Sequence, residues 1–235
     1  MGFLLGSHGI GHSINSYTHQ SEKEQLSHKD SLIIIKNRID SLLNRHDLCE
    51  QGVLLPDSAL VYTMEAIQLA NSRFGMNSEE YIMIFSDYLI PDVGDNQNML
   101  CDYLYPMTTK ILDPDTEWVW NAYYSLGISM ADINENDKAI DLFERVITAN
   151  SPQAAKLAAK IKMAPVKNRV TGEDMEAMLL PLLSETDSVP SPSKEDVSFM
   201  LSRKLAEYYS EINEYEKLID IVNFGEQFID FVPKH

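Results

Sequence analysis

Two stretches of this chain repeat one another without a gap. Residues 126–143 read LGISMADINENDKAIDLF, and residues 205–222 read LAEYYSEINEYEKLIDIV. Leu205 answers Leu126, Ala206 answers Gly127 and Tyr209 answers Met130. Both copies then reach the same turn, Ile133-Asn134-Glu135 and Ile212-Asn213-Glu214, and go on to KAID or KLID. Apolar residues on either side of the turn recur at three- and four-residue steps, the period of an amphipathic helix. Each copy is therefore a helix, a polar turn and a second helix. Gly127 and Ala139 are expected to be small because the two helices touch there, with Leu126, Phe143 and Val146 filling the surrounding space. One such hairpin cannot bury its apolar face alone, so neighbouring hairpins must stack on it.

The spacing Tyr123-x2-Leu126-Gly127-x2-Met130, then Ala139-x3-Phe143, then Pro152, resembles the tetratricopeptide repeat. The departures are Tyr for Trp, Met for Tyr and a proline one residue late; Leu218, where Ala is preferred, weakens the second copy. The resemblance is clearest over residues 115–150 and 195–231 and architectural elsewhere. It implies an all-α, right-handed α-solenoid of about ten helices over residues 27–235. It also implies a non-catalytic scaffold that binds a protein or peptide on its concave face, lined by the first helix of each hairpin. The groove positions would be Asn121, Tyr124, Ile128 and Asp132 in one repeat and Arg203, Glu207 and Glu211 in the other. Some members of the family clamp a peptide carboxylate with Lys and Asn. Here the equivalent positions hold Tyr124 and Ile128, then Arg203 and Glu207, so that specificity is not implied.

The rest of the chain carries the same rhythm of capped helices. Residues 1–26, rich in Gly and Ser, read as a flexible lead-in. Helices follow around "HKDSLIIIKNRIDSLLNRH", "PDSALVYTMEAIQLANSRFG" and "NSEEYIMIFSDYLI", the last capped by Asn77 or Ser78 with Glu79 and Glu80 at the positive end of its dipole. "NQNMLCDYLYPMTTKIL" is expected to kink at Pro106, and "SPQAAKLAAKIKMA" to close at Pro165. No stretch alternates cleanly over strand length.

Charge narrows the partners. With 36 acidic and 19 basic residues the net charge is −17, which disfavours nucleic acid and anionic lipid. An acidic inhibitor or immunity-type protein that blocks a basic enzyme is the alternative function. One stretch runs the other way: between Arg145 and Arg169 there is no acid, and Lys156, Lys160, Lys162, Lys167 and Arg169 form a candidate basic patch for an acidic peptide or phosphate.

No catalytic or metal constellation stands out, and no cofactor is expected. His8, His12, His19 and His28 fall early but lack a cysteine, and ordering that segment would consume most of what a structural zinc returns. "GSHGIGHS" lacks the lysine of a phosphate loop. Cys49 and Cys101 read as buried free thiols in a reducing compartment, the cytoplasm. "MGFLLGSHGIGHS" has no basic residue before Lys23 and too short an apolar run for an export signal. A degraded or mis-started signal is the alternative there. No apolar run reaches the ~20 residues a membrane helix needs.

Overall fold

The structure, a computed structural model, describes the backbone of residues 11–55 and 58–226 and, among them, the side chains from residue 30 onward. Every regular element among the described residues is helical. The chain divides into two compact units, residues 1–69 and 70–235, each described by itself.

In the first unit α1 (Gly11–Glu50) begins well before the expected start, so residues 11–26 are helical where a lead-in was expected. The early histidines and residues 1–10 lie outside the described side chains. Ile39, Leu42 and Cys49, at helical steps, are buried. The helix ends at Gly52, whose φ of 72° lets the Val53 N–H turn back to the Leu48 carbonyl at 2.9 Å. α2 (Ala59–Phe74) follows, and the Arg45 guanidinium lies 5.7 Å over the Tyr62 ring.

The second unit is a succession of hairpins. In the first, α3 (Glu79–Ile84) passes through a π turn (Phe85–Leu89) into α4 (Ile90–Val93). Ser78 caps α3, its Oγ accepting the Tyr81 N–H at 3.2 Å. The returning helix opens at residues 97–98, takes a π turn (Met99–Leu104) and continues as α5 (Tyr105–Lys110). Both π turns precede a proline, in the related strings Asp87-Tyr88-Leu89-Ile90-Pro91 and Asp102-Tyr103-Leu104-Tyr105-Pro106. A proline ring inside an α-helix collides with the carbonyl four residues back and supplies no N–H. The wider π turn relieves both problems. The Ile90 and Tyr105 N–H groups reach back five residues, to Phe85 and Leu100. At Pro106, where a kink was expected, the helix carries a π turn just before the proline.

Three hairpins follow: α6 (Val119–Asp132) with α7 (Asn136–Thr148), α8 (Gln153–Thr171) with α9 (Met175–Glu185), and α10 (Ser193–Glu211) with α11 (Tyr215–Glu226). Each pair packs together, α8 also packs on α7, and α10 packs on α8 and α9. α8 runs through Pro165 to Thr171, correcting the expected stop. Ala164 and Val166 are buried on either side of the proline, and the helix ends instead at Gly172, with φ of 72°. Leu157, Ile161, Leu179, Leu201 and Leu205 form a continuous core across this part of the stack.

The 79-residue correspondence holds in the backbone. Asn134 and Asn213 adopt φ of 62° and 60°. The Glu135 N–H bonds to the Met130 carbonyl and the Glu214 N–H to the Tyr209 carbonyl, both at 2.9 Å. The Ala139 N–H on Glu135 and the Leu218 N–H on Glu214 repeat at 3.0 Å. Asparagine suits this site because its short polar side chain tolerates the left-handed conformation. Gly127 is small for a concrete reason: a Cβ there would come within 2.9 Å of the Phe143 ring. Phe143 is fully buried, contributing on the order of 1.5–3 kcal/mol.

A polar cluster fastens the first hairpin to α7. The Tyr105 hydroxyl donates to Asp141 Oδ2 at 2.9 Å, Arg145 Nε donates to the same oxygen at 3.0 Å, and the Arg145 guanidinium lies 5.9 Å over the Tyr123 ring. Burial, aided by the Asp141 carboxylate, pushes the Tyr105 hydroxyl up from its ordinary value.

Gly127→Val should destabilise the fold by about 1–3 kcal/mol through overpacking against Phe143. Combining it with Phe143→Leu should cost less than the sum of the two single changes in urea denaturation. Asn134→Val should cost roughly 1–2 kcal/mol, and Asn134→Gly little.

Candidate groove between the first helices

α6, α8 and α10 are the first helices of three consecutive hairpins. Between α8 and α10 lies a cleft of ≈ 310 Å³. Its floor is apolar: Ile161 of α8, with Phe199 and Met200 of α10. These side chains come together because α10 presents residues 196, 199, 200, 203 and 207 along one side, at helical spacing.

The rim is charged. Arg203 Nε donates to Glu207 Oε1 at 3.1 Å, and Lys204 Nζ donates to Glu207 Oε2 at 2.5 Å. Those bonds, Lys204's first, hold the Glu207 carboxyl below the usual carboxylate range. Lys162 enters from α8 and has no ion-pair partner among the described residues. Asp196 stands at the other end. Three cations thus meet two carboxylates, one of them shared by two cations, so the cleft carries an excess of positive charge in an acidic protein.

Of the expected groove residues, Arg203 and Glu207 line this cleft and the α6 residues do not. Asn121 lies against the first hairpin, its Nδ2 donating to Asp87 Oδ1 at 3.4 Å and lying 3.8 Å from Met83 Sδ. Burial raises the Asp87 carboxyl and this hydrogen bond partly offsets the shift. Tyr124 is half-buried, its ring edge on Phe143 at 6.3 Å, and burial pushes its hydroxyl up. Ile128 is half-buried, while Asp132 and Glu211 are exposed as the equivalent last residues of α6 and α10.

The basic stretch does not form one patch. Lys160 pairs with Glu185 of α9 at 2.6 Å and Lys167 with Glu144 of α7 at 3.3 Å. Arg169 Nη2 donates to Asn136 Oδ1 at 3.1 Å. Lys156 is half-buried, with no ion-pair partner among the described residues, and Lys162 lies in the cleft. Helical spacing sets Lys156, Lys160 and Lys167 on one side of α8 and Lys162 and Arg169 on another, and acids distant in sequence meet Lys160 and Lys167. The thiols Cys49 and Cys101 are free, Cys49 buried and Cys101 half-buried.

Asp196, Phe199, Met200 and Lys204 also line the cleft and lie outside the positions expected from the repeat. Projection from Leu205 and Ala206 began one turn too late in α10. The unpatterned hairpin α8–α9 gave no register from which to place Lys162. The signal available was the run of positions 196, 200, 203 and 207, one side of a helix.

No protein-family model matches this chain. No curated protein matches it either. Its fold does match a crystal structure, that of a Podosopora anserina protein described as a kinesin light chain with nearly identical TPR-like repeats. The two share 11% identity at a TM-score of 0.53, over 81% of this chain and 94% of that one. The fold is therefore all-α and tetratricopeptide-like. Among the described residues no helix is long and apolar enough to cross a membrane.

Because Glu207's carboxyl is lowered in the folded state, its contribution is present above the unfolded value near 4.3 and disappears as pH falls through the folded one. Glu207→Gln should lower stability at pH 7 by no more than about 1 kcal/mol, the site being solvent-screened. Denaturation midpoints of the two proteins should converge in acid.

Proposed function

We propose that this chain is a non-catalytic scaffold that binds a protein or peptide segment along the first-helix side of its hairpins. The α8–α10 cleft is the principal docking point. The observation that carries this reading is Lys162, a cation without an ion-pair partner among the described residues, beside an apolar floor of Ile161, Phe199 and Met200. A segment with an apolar side chain next to a carboxylate fits there: the apolar group covers the floor, and the carboxylate meets Lys162 and competes for the shared partners of Glu207. Asn121 and Ile128 extend the same side towards the first hairpin, with Asp132 and Glu211 at its edge. A groove formed by packed helices is organised before binding, which lowers the ordering cost. Two free thiols suit a reducing compartment, the cytoplasm.

Affinity capture from the native cell at low and high salt should retain a partner that the Lys162→Glu/Lys204→Glu chain loses by at least about tenfold, a change near 1.4 kcal/mol. Both side chains reach solvent, so the doubly substituted chain should fold. Undiminished capture by that chain would remove the cleft from consideration.

A further inference from the structure

α11 buries Ile221 and Gly225 and leaves a neighbouring stripe bare. Tyr215, Ile219 and Val222, four and three residues apart, share one side of the helix and are 61%, 61% and 42% exposed. The 79-residue correspondence identifies this side. Tyr215, Ile219 and Asn223 stand where α7 has Asn136, Ile140 and Glu144. Those α7 positions face α8, for Arg169 of α8 donates to Asn136 and Lys167 of α8 pairs with Glu144. α11 therefore exposes the surface on which α7 seats a following helix.

A cleft of ≈ 200 Å³ between α10 and α11 adjoins the stripe and shares Val222 with it. Ser202, Ala206, Val222 and Gly225 line it, at the positions of Tyr123, Gly127, Phe143 and Val146 in the earlier hairpin. Three of these four are smaller than their counterparts. At Ser202 and Gly225 the helices draw together, for a Cβ on Gly225 would come within 2.6 Å of Ser202 Oγ; the cleft opens beside that contact, against Ala206 and Val222, as a hole for an apolar side chain.

Charge selects the occupant. Glu216, Asp220 and Glu226 are exposed on α11, and its one lysine, Lys217, is engaged with both oxygens of Glu176 at 2.9 Å. A second copy of this face would bring its own acids against these. The helix seated on α7 has the opposite character: α8 carries Lys156, Lys160, Lys162, Lys167 and Arg169 and no acid. We propose that the bare side of α11, with the α10–α11 cleft, is a docking surface for a basic amphipathic helix of a partner protein, seated as α8 is on α7. Its apolar side would cover Tyr215, Ile219 and Val222, and its cations would meet Glu216 and Glu226 at the border of the stripe. The α10–α11 cleft shares Phe199 and Arg203 with the α8–α10 groove but not Lys162, which therefore tells the two surfaces apart.

The probe is a labelled, end-capped peptide of residues 153–171 with Pro165→Ala to favour the helix, titrated onto the full chain by fluorescence anisotropy. Saturable one-to-one binding is expected. It should weaken at least about tenfold in the Ile219→Ser/Val222→Ser chain and in the Glu216→Lys/Glu226→Lys chain, and weaken with added salt. These sites are solvent-facing, and circular dichroism would verify that both variants fold. Lys162→Glu should leave this binding unchanged, which separates it from the groove. The proposal is overturned if the serine variant binds as tightly as the parent, or if the same peptide with Glu for every Lys and Arg binds equally well. It is also overturned if the full chain binds no peptide. Sedimentation showing a dimer that Ile219→Ser dissolves would assign the face to a second copy and overturn it likewise.

Discussion

The contact between Gly127 and Phe143 is the constraint on which the central hairpin depends. Two helices joined by a short turn can lie side by side at many separations, and a side chain at residue 127 would hold them apart. Without one, the Phe143 ring reaches the α6 backbone and its burial pulls the pair together. The close pair then presents the outer side of α7 as a surface ready for α8, and α8 in turn supports α10. Removing the first contact therefore weakens a chain of dependent ones.

The two turns at Asn134 and Asn213 make that pairing reproducible. Each uses one left-handed residue and the same set of backbone hydrogen bonds, so the second helix leaves in the same direction relative to the first. This is also why these hairpins were legible in the sequence. Their turn chemistry is local, and the residues that perform it lie within a few positions of one another. The hairpin α8–α9 turns instead at Gly172 and carries prolines inside both helices. Nothing near Pro165 signals that buried neighbours hold the helix continuous, and a proline read alone says stop.

The candidate groove divides in the same way. Arg203 and Glu207 could be placed from the register of the second copy, because α10 is a regular helix with a recognisable end. Lys162 could not, since its position depends on how α8 lies across α10. The acid-free run from Arg145 to Arg169 gave a false impression of one basic patch for a related reason. Glu144 precedes the run and Glu185 lies well beyond it, yet both meet its lysines in the folded chain. A window along the sequence counts charges on a line, whereas neutralisation takes place between neighbouring helices.

The prolines of the first hairpin have an effect beyond their own turns. A π turn takes up an extra residue without adding a full step to the hydrogen-bond ladder, and each extra residue rotates the downstream helix by about 100°. Through Leu89 and again through Leu104, the helix therefore changes which of its residues point inward. A template of fixed spacing loses step twice in this hairpin, once on each arm. The absence of a readable repeat signature between residues 79 and 110 then reflects a phase slip within a conventional stack. The hairpin keeps its place among its neighbours while its sequence is out of time with theirs.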